Sequence, residues 1–287
     1  MQIESFEIPV DPWTFQAIAA GSRDGEPVLL LHGFPQTSHS YRSQLPALAE
    51  AGYRAIAFDQ RGYSPRARPA ALSEYAMPKL VDDAIDVADV LGYDRFHLVG
   101  HDFGAIVGWH LASSHPDRLV SYTSLSVGHP AALAGALADP ADDQTQRSSY
   151  FAWFEKPETT QELGSFDLLM NLYAGAGLAD DDPDVYARAL GSEPAIDAAL
   201  NWYRAGGVHR QPDAPRVTVP TMLIWSTNDV ALGATQANDT EKYIAAPYQF
   251  HVLEGIDHWI PEHAPDQVNQ LLLDHLGAWR LEQNSDA

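Results

Sequence analysis

Two short runs rich in strand-forming residues, 3–10 and 14–20, flank Asp11-Pro12 at the start of the chain, the pattern of an opening hairpin or meander. The pattern then changes. Val28-Leu29-Leu30-Leu31 is apolar without a break, as a strand buried on both faces should be, and it runs into His32-Gly33-Phe34-Pro35. The chain beyond predicts a helix over roughly 39–50, a strand Tyr53–Phe58, a helix opened by Pro78, a strand Phe96–Val99, a helix over 103–114 and a strand Leu119–Leu125. In the helix after Pro78, Leu80, Ala84, Val87, Ala88 and Leu91 share one face. Asp82, Asp83, Asp86 and Asp89 take the other, as solvated charges rather than a metal site.

Strand and helix alternate in this way only up to about residue 128, which predicts an α/β protein with a mostly parallel twisted sheet and helices on both faces. Between 129 and 215 the alternation stops and helical, Ala/Gly/Asp-rich sequence takes over. It resumes with Thr221–Trp225, a helix near 235–245, a strand Phe250–Leu253 and a last helix opened by Pro265, with Val268, Leu272, Leu276 and Trp279 on one face. The expected organisation is therefore one core, 1–128 and 216–287, interrupted by a helical cap, 129–215, with no internal repeat.

Composition narrows the function. In 287 residues, 39 Asp and Glu outweigh 17 Lys and Arg, a formal charge of −22 that disfavours nucleic acid or an anionic membrane as partner and leaves a small neutral molecule. Residues 1–20 lack a basic targeting region and no run of 18 apolar residues occurs, so a cytoplasmic protein without membrane insertion is expected. The absence of cysteine removes thiolate chemistry, and the 12 histidines show no His-Glu-x-x-His spacing, so neither metal nor cofactor is expected. Composition leaves a homodimer open.

The chemistry collects around Leu98-Val99-Gly100-His101-Asp102-Phe103-Gly104, an apolar strand entering a sharp turn with glycines flanking one reactive side chain, as in a nucleophile elbow. The central residue is Asp102. An ionised carboxylate needs no base to activate it, attacks saturated carbon and leaves an ester that must be hydrolysed, so the substrate is an epoxide or a halide. Reactive groups in an open parallel sheet gather at the carboxyl ends of strands. Here those ends present His32-Gly33-Phe34-Pro35, Asp102, Ser226-Thr227-Asn228-Asp229 and Glu254-Gly255-Ile256-Asp257-His258. Asp102, Asp229 and His258 follow the nucleophile, acid, histidine order. His32 and His101 read as structural hydrogen-bonding groups, Asp59-Gln60-Arg61-Gly62 as an Arg/Asp pair bracing a loop, and His129-Pro130 as the junction between core and cap.

These motifs together resemble the epoxide hydrolase group of the α/β-hydrolases over both core and cap. His32-Gly33-Phe34-Pro35 resembles the family's oxyanion loop, Gly100–Gly104 its aspartate-bearing elbow, Trp225–Asp229 its acid loop and Asp257-His258-Trp259 its catalytic histidine segment. Tyr150–Pro157 and Leu200–Arg204 resemble the cap segments that carry two ring-opening tyrosines, which implies that role for Tyr150 and Tyr203. The resemblance further implies a covalent hydroxyalkyl ester on Asp102, hydrolysed by water that His258 activates, with Asp229 orienting the imidazole and the N–H groups of Phe34 and Phe103 as the oxyanion hole. Trp153, Phe154 and Trp202 are candidates for the pocket wall. One position departs from the pattern: relatives often carry Trp after the nucleophile, and Phe103 supplies no indole donor there. That loss, with Phe34 in the oxyanion loop, weighs against the alternative of a haloalkane dehalogenase, whose departing halide needs N–H donors. A non-catalytic ligand-binding module on the same fold is the second alternative, disfavoured by the intact set of reactive residues.

Overall fold

The computed structural model describes residues 2–164, 166–178, 183–206 and 214–281. Its frame is an eight-stranded sheet in the order β1-β2-β4-β3-β5-β6-β7-β8. β1 (Glu4–Val10) and β2 (Trp13–Ala20) form the expected hairpin, Glu4 opposite Ala19 and Val10 opposite Trp13, and β2 pairs antiparallel with β4 (Tyr53–Phe58). Every later pairing is parallel, through β3 (Glu26–Leu31), β5 (Phe96–His101), β6 (Leu119–Leu125), β7 (Thr221–Ser226) and β8 (Tyr248–Leu253).

The unbroken apolar runs become the interior strands because both of their faces are covered. Along β3 and β4, Leu29, Leu31, Ile56 and Phe58 join a core shared with α2 (Met77–Val90) and α3 (Phe103–Ser114). Val28, Leu30, Ala55 and Ala57 point the other way, into a core closed by α1 (Gln44–Glu50) and the last helix, Pro265–Ala278. Two layers of helices thus sandwich the sheet.

Among the described residues, seven α-helices lie between β6 and β7: α4 (Pro130–Ala138), α5 (Gln144–Arg147), α6 (Phe151–Phe154), α7 (Glu158–Leu163), α8 (Phe166–Gly175), α9 (Pro183–Leu190) and α10 (Glu193–Arg204). They are followed, after β7, by α11 (Ala234–Asp239), α12 (Ile260–His263) and α13 (Pro265–Ala278). The ends of the helical run meet, for His129 caps α4 through the Ala131 N–H while its Nε2 lies 3.3 Å from the Pro215 carbonyl. The run is also pinned to the loop that follows β4: Trp202 Nε1 on α10 donates to the Arg61 carbonyl at 2.7 Å.

Three local expectations are corrected. The helix expected over 39–50 is a 3₁₀ turn, Ser38–Tyr41, followed by α1 from Gln44. Pro46 explains the break: in the first turn of α1 its missing N–H costs nothing, whereas a helix begun at 39 would drive its ring into the Arg42 carbonyl. Asp83 is not a solvated charge but is buried, 3% exposed. Its carboxylate takes Arg61 Nε at 2.7 Å and Nη2 at 2.5 Å, so the partner of Arg61 is Asp83 on α2, whereas Asp59 accepts the Ser38 N–H at 2.8 Å.

Candidate active site

Asp102 follows β5 directly and precedes α3, and its backbone sits at φ 51°, a region that costs an L-residue energy and persists only where its surroundings impose it. The flanking glycines allow that conformation. A Cβ on Gly100 would come within 2.4 Å of the Gly104 carbonyl oxygen, and one on Gly104 within 2.1 Å of the Leu31 oxygen. Strand and helix therefore close to backbone contact, leaving the Asp102 side chain at the carboxyl edge of the sheet. Its Oδ1 accepts the Phe34 N–H at 2.9 Å, and the Phe103 N–H also hydrogen-bonds the carboxylate.

Asp229, past the end of β7, uses both oxygens. Oδ1 accepts the N–H groups of Ala231 and Leu232, each at 2.8 Å, and Oδ2 takes His258 Nδ1 at 2.8 Å. With Nδ1–H committed to Asp229, Nε2 of His258 faces Asp102 Oδ2 at 3.4 Å. The backbone of His258 is fixed as well: its carbonyl accepts His101 Nε2 at 2.9 Å and Ser126 Oγ at 3.0 Å. His101 thus holds a carbonyl, and His32 does similar work, lying 3.0 Å through Nδ1 from the Gly33 carbonyl while Nε2 accepts the Gln60 N–H at 3.1 Å.

Electrostatics polarise this triad. Burial alone raises the proton affinity of the Asp102 carboxyl, but hydrogen bonding from His258, its positive charge and the Phe103 N–H outweigh it, and Asp102 stays below the ordinary carboxylate value. For His258, burial acts against the charged form, yet Asp229 and Asp102 lift it to about 10. Its neighbour His101 is pushed down to about 4, chiefly by burial and then by the charge of His258. The site at rest is therefore a carboxylate beside an imidazolium, with a neutral histidine behind.

The insertion brings two phenols over this pair. Tyr203, on α10, packs edge-on against Phe103 at 4.6 Å and Phe34 at 5.4 Å between ring centres, and Tyr150 lies 6.4 Å from Tyr203. Both hydroxyls are held well above the usual tyrosine value, first by burial and then by neighbouring groups that include Asp102. They consequently stay protonated. Asp102, Phe103, Tyr150 and Tyr203 face one cavity with Ile106, Val127, Leu133, Phe151, Ala231 and Leu232. Its free volume is about 10 Å³, on a measure by which a single water needs roughly 10–15 Å³.

Trp153, Phe154 and Trp202 do not line that cavity. Trp153 turns away to donate through Nε1 to Glu162 at 2.6 Å, Phe154 supports Phe34 and Tyr203 from behind, and Trp202 is spent on the Arg61 carbonyl. The apolar lining from Leu133, Phe151 and Leu232 has no sequence signal, because α4 is apolar on every side and the short helix α6 and the irregular segment after Asp229 carry no periodicity from which a face can be read. Among the described residues no group of three or more His, Asp or Glu is arranged to hold a metal ion, and no helix is long and apolar enough to cross a membrane.

Residues 26–265 match the family described as alpha/beta hydrolase fold. The AB hydrolase superfamily protein YfhM of Bacillus subtilis strain 168 is 33% identical over 273 residues, covering 92% of this chain and 94% of its own length. Epoxide hydrolase A of Mycobacterium tuberculosis is 30% identical over 93% of this chain and 95% of its own, and human Epoxide hydrolase 4 is 30% identical over 90% and 74%. The crystal structure of a Bacillus megaterium epoxide hydrolase in complex with an inhibitor superposes with a TM-score of 0.84 at 26% identity, covering 95% of this chain and all of that one. The chain belongs to the α/β-hydrolase family and, within it, to the epoxide hydrolase group.

Proposed function

We propose that the protein adds water to a small neutral epoxide to give a vicinal diol, through an ester on Asp102, with no cofactor. The observation that carries the reading is the placing of a buried carboxylate 3.4 Å from His258 Nε2, with Asp229 behind the imidazole and two protonated tyrosines facing the same cavity. Asp102 attacks a ring carbon, the C–O bond breaks, and the nascent alkoxide takes a proton from Tyr150 or Tyr203. Alkylation removes the charge of Asp102, one of the two anions that hold His258 protonated, so the imidazolium sheds its proton and the phenol is restored through solvent.

Neutral His258 then takes a proton from water, and the hydroxide attacks the ester carbonyl. The Phe34 and Phe103 N–H groups, already on the carboxylate of Asp102, are positioned for the tetrahedral oxyanion. Collapse releases diol, returns Asp102 as carboxylate and leaves the proton on His258, so the cycle closes. In this reading residues 129–215 act as a cap that supplies the acid and excludes water.

The test is H258Q under single turnover with styrene oxide, followed by intact mass. Protein heavier by one substrate supports the ester, and unchanged mass alongside an active wild type refutes it. In parallel, wild type given styrene oxide and a haloalkane of similar size should form diol while releasing little halide, since neither Phe34 nor Phe103 offers a side-chain donor to a departing anion.

A further inference from the structure

Glu262 takes no part in the chemistry above, yet its side chain is 2% exposed. A carboxylate buried to that degree must be charge-paired and fully hydrogen-bonded. Arg42 Nη1 reaches Oε1 at 2.7 Å, the Tyr186 hydroxyl donates to the same oxygen at 2.5 Å, and Gln36 Nε2 donates to Oε2 in a short contact.

The three donors come from different parts of the site. Gln36 closes the turn after Phe34, its N–H bonded to the Gly33 carbonyl at 3.0 Å. Tyr186 belongs to α9 of the insertion and stacks on Tyr173 of α8, whose hydroxyl donates to the Pro35 carbonyl at 2.7 Å. Glu262 itself sits on α12, which begins two residues after His258 and is tied to it by the Ile260 N–H on the His258 carbonyl at 2.9 Å. One carboxylate thus joins the oxyanion turn, the histidine segment and the docked insertion.

We propose that Glu262 is a positioning residue that sets the Gly33–Gln36 turn, and with it the Phe34 N–H, against Asp102 when the insertion is docked. The inference rests on the ester mechanism proposed above. The two half-reactions depend on that N–H differently. In ring opening it only quiets the nucleophile, whereas in ester hydrolysis it stabilises the oxyanion, where loss of one such donor costs about 10²–10³ in rate.

Displacing the turn should therefore slow hydrolysis alone. E262Q keeps the side-chain size but turns an amide N–H₂ toward that of Gln36. Expected is a fall in kcat of about tenfold or more with no fall in kcat/KM, since a slower second step lowers kcat and KM together. Intact mass in the steady state should show the Asp102 ester accumulating. The double variant Q36E/E262Q exchanges carboxylate and amide across the same contact and should recover most of kcat. A purely structural role would lower the active fraction and leave kcat per active site and ester occupancy at wild-type values, and that result overturns the proposal. So does a fall in kcat/KM equal to that in kcat without ester. If E262Q does not fold, Tyr186→Phe decides: it removes only the donor of the insertion, and unchanged ester occupancy in it overturns the proposal. A wild type that forms diol without ever carrying an ester overturns the underlying mechanism instead.

Discussion

Asp102 Oδ2 and His258 Nε2 stand 3.4 Å apart in a buried site, so the charge of either sets the proton affinity of the other. Asp102→Asn removes one of the two anions that lift His258 to about 10, and the imidazole midpoint, followed by NMR, should fall by roughly one to three units. An unmoved midpoint would assign the whole effect to Asp229. The sign for stability follows. With its folded midpoint raised from 6.5 to about 10, the contribution of His258 is complete below about pH 6.5 and is lost as pH rises through 10.

Tyr150 and Tyr203 are both kept protonated by burial, the state that the proposed ring opening requires of its acid. Each single Phe variant should slow alkylation less than the double variant does, a general acid being worth about 10²- to 10⁴-fold. Single-turnover rates of ester formation measure this directly. A double variant with wild-type rates would remove both residues from the mechanism.

His263 gives the insertion a pH-dependent joint. Its Nδ1 lies 2.8 Å from both oxygens of Asp257 and its Nε2 3.3 Å from the Gly177 carbonyl, and these acceptors, Asp257 foremost, raise its proton affinity against the opposing effect of burial. Both nitrogens donate only in the imidazolium. The joint is complete below the ordinary histidine value of 6.5 and weakens as pH rises through the raised one. Amide protection across residues 166–178, taken relative to the intrinsic base-catalysed exchange rate at each pH, should fall between mildly acidic and alkaline pH in wild type and much less in His263→Gln. An equal loss of protection in the two would place the titrating group elsewhere.

Asp83→Ala strands Arg61, 4% exposed, without its bidentate partner. Breaking one side of a buried pair costs about 3–5 kcal/mol, here moderated by Glu74, whose carboxylate stays 3.1 Å from Arg61 Nη1. Because the Arg61 carbonyl also receives Trp202 of the insertion, a shift in the urea midpoint should be accompanied by lower activity. An unfolding free energy within about 0.5 kcal/mol of wild type, the range of ordinary surface changes, would contradict the pairing.

What could be read from sequence has a physical basis. β3, β5, β7 and β8 each hand a reactive residue to the loop that follows, and short-range signals such as Gly100, Gly104 and the apolar runs sufficed to place Phe34, Asp102, Asp229 and His258 at strand ends, where the structure brings them together. Contacts between distant elements left no such trace. The Arg61–Asp83 pair is invisible in the sequence because a charge on the polar face of a helix looks solvated until the neighbouring loop is known. Glu262 carries no sequence signal for the same reason, its three partners lying at 36, 42 and 186. Trp153 and Phe154 are adjacent on one short helix, their rings 5.1 Å apart, and neither lines the cavity, so aromatic content alone does not identify a wall.

The cavity over Asp102, at about 10 Å³, has room for about one water and none for an epoxide with a side chain. Productive encounter therefore has to wait for a rearrangement of the surrounding aromatics, and that waiting time belongs to the protein rather than to the substrate. In stopped-flow measurements the fluorescence change on filling the site should level off as substrate concentration rises, at a plateau common to epoxides of differing reactivity, while the ester formation that follows keeps its dependence on the two tyrosines. Viscosity and temperature, more than the leaving-group chemistry, would then set how fast the site is filled.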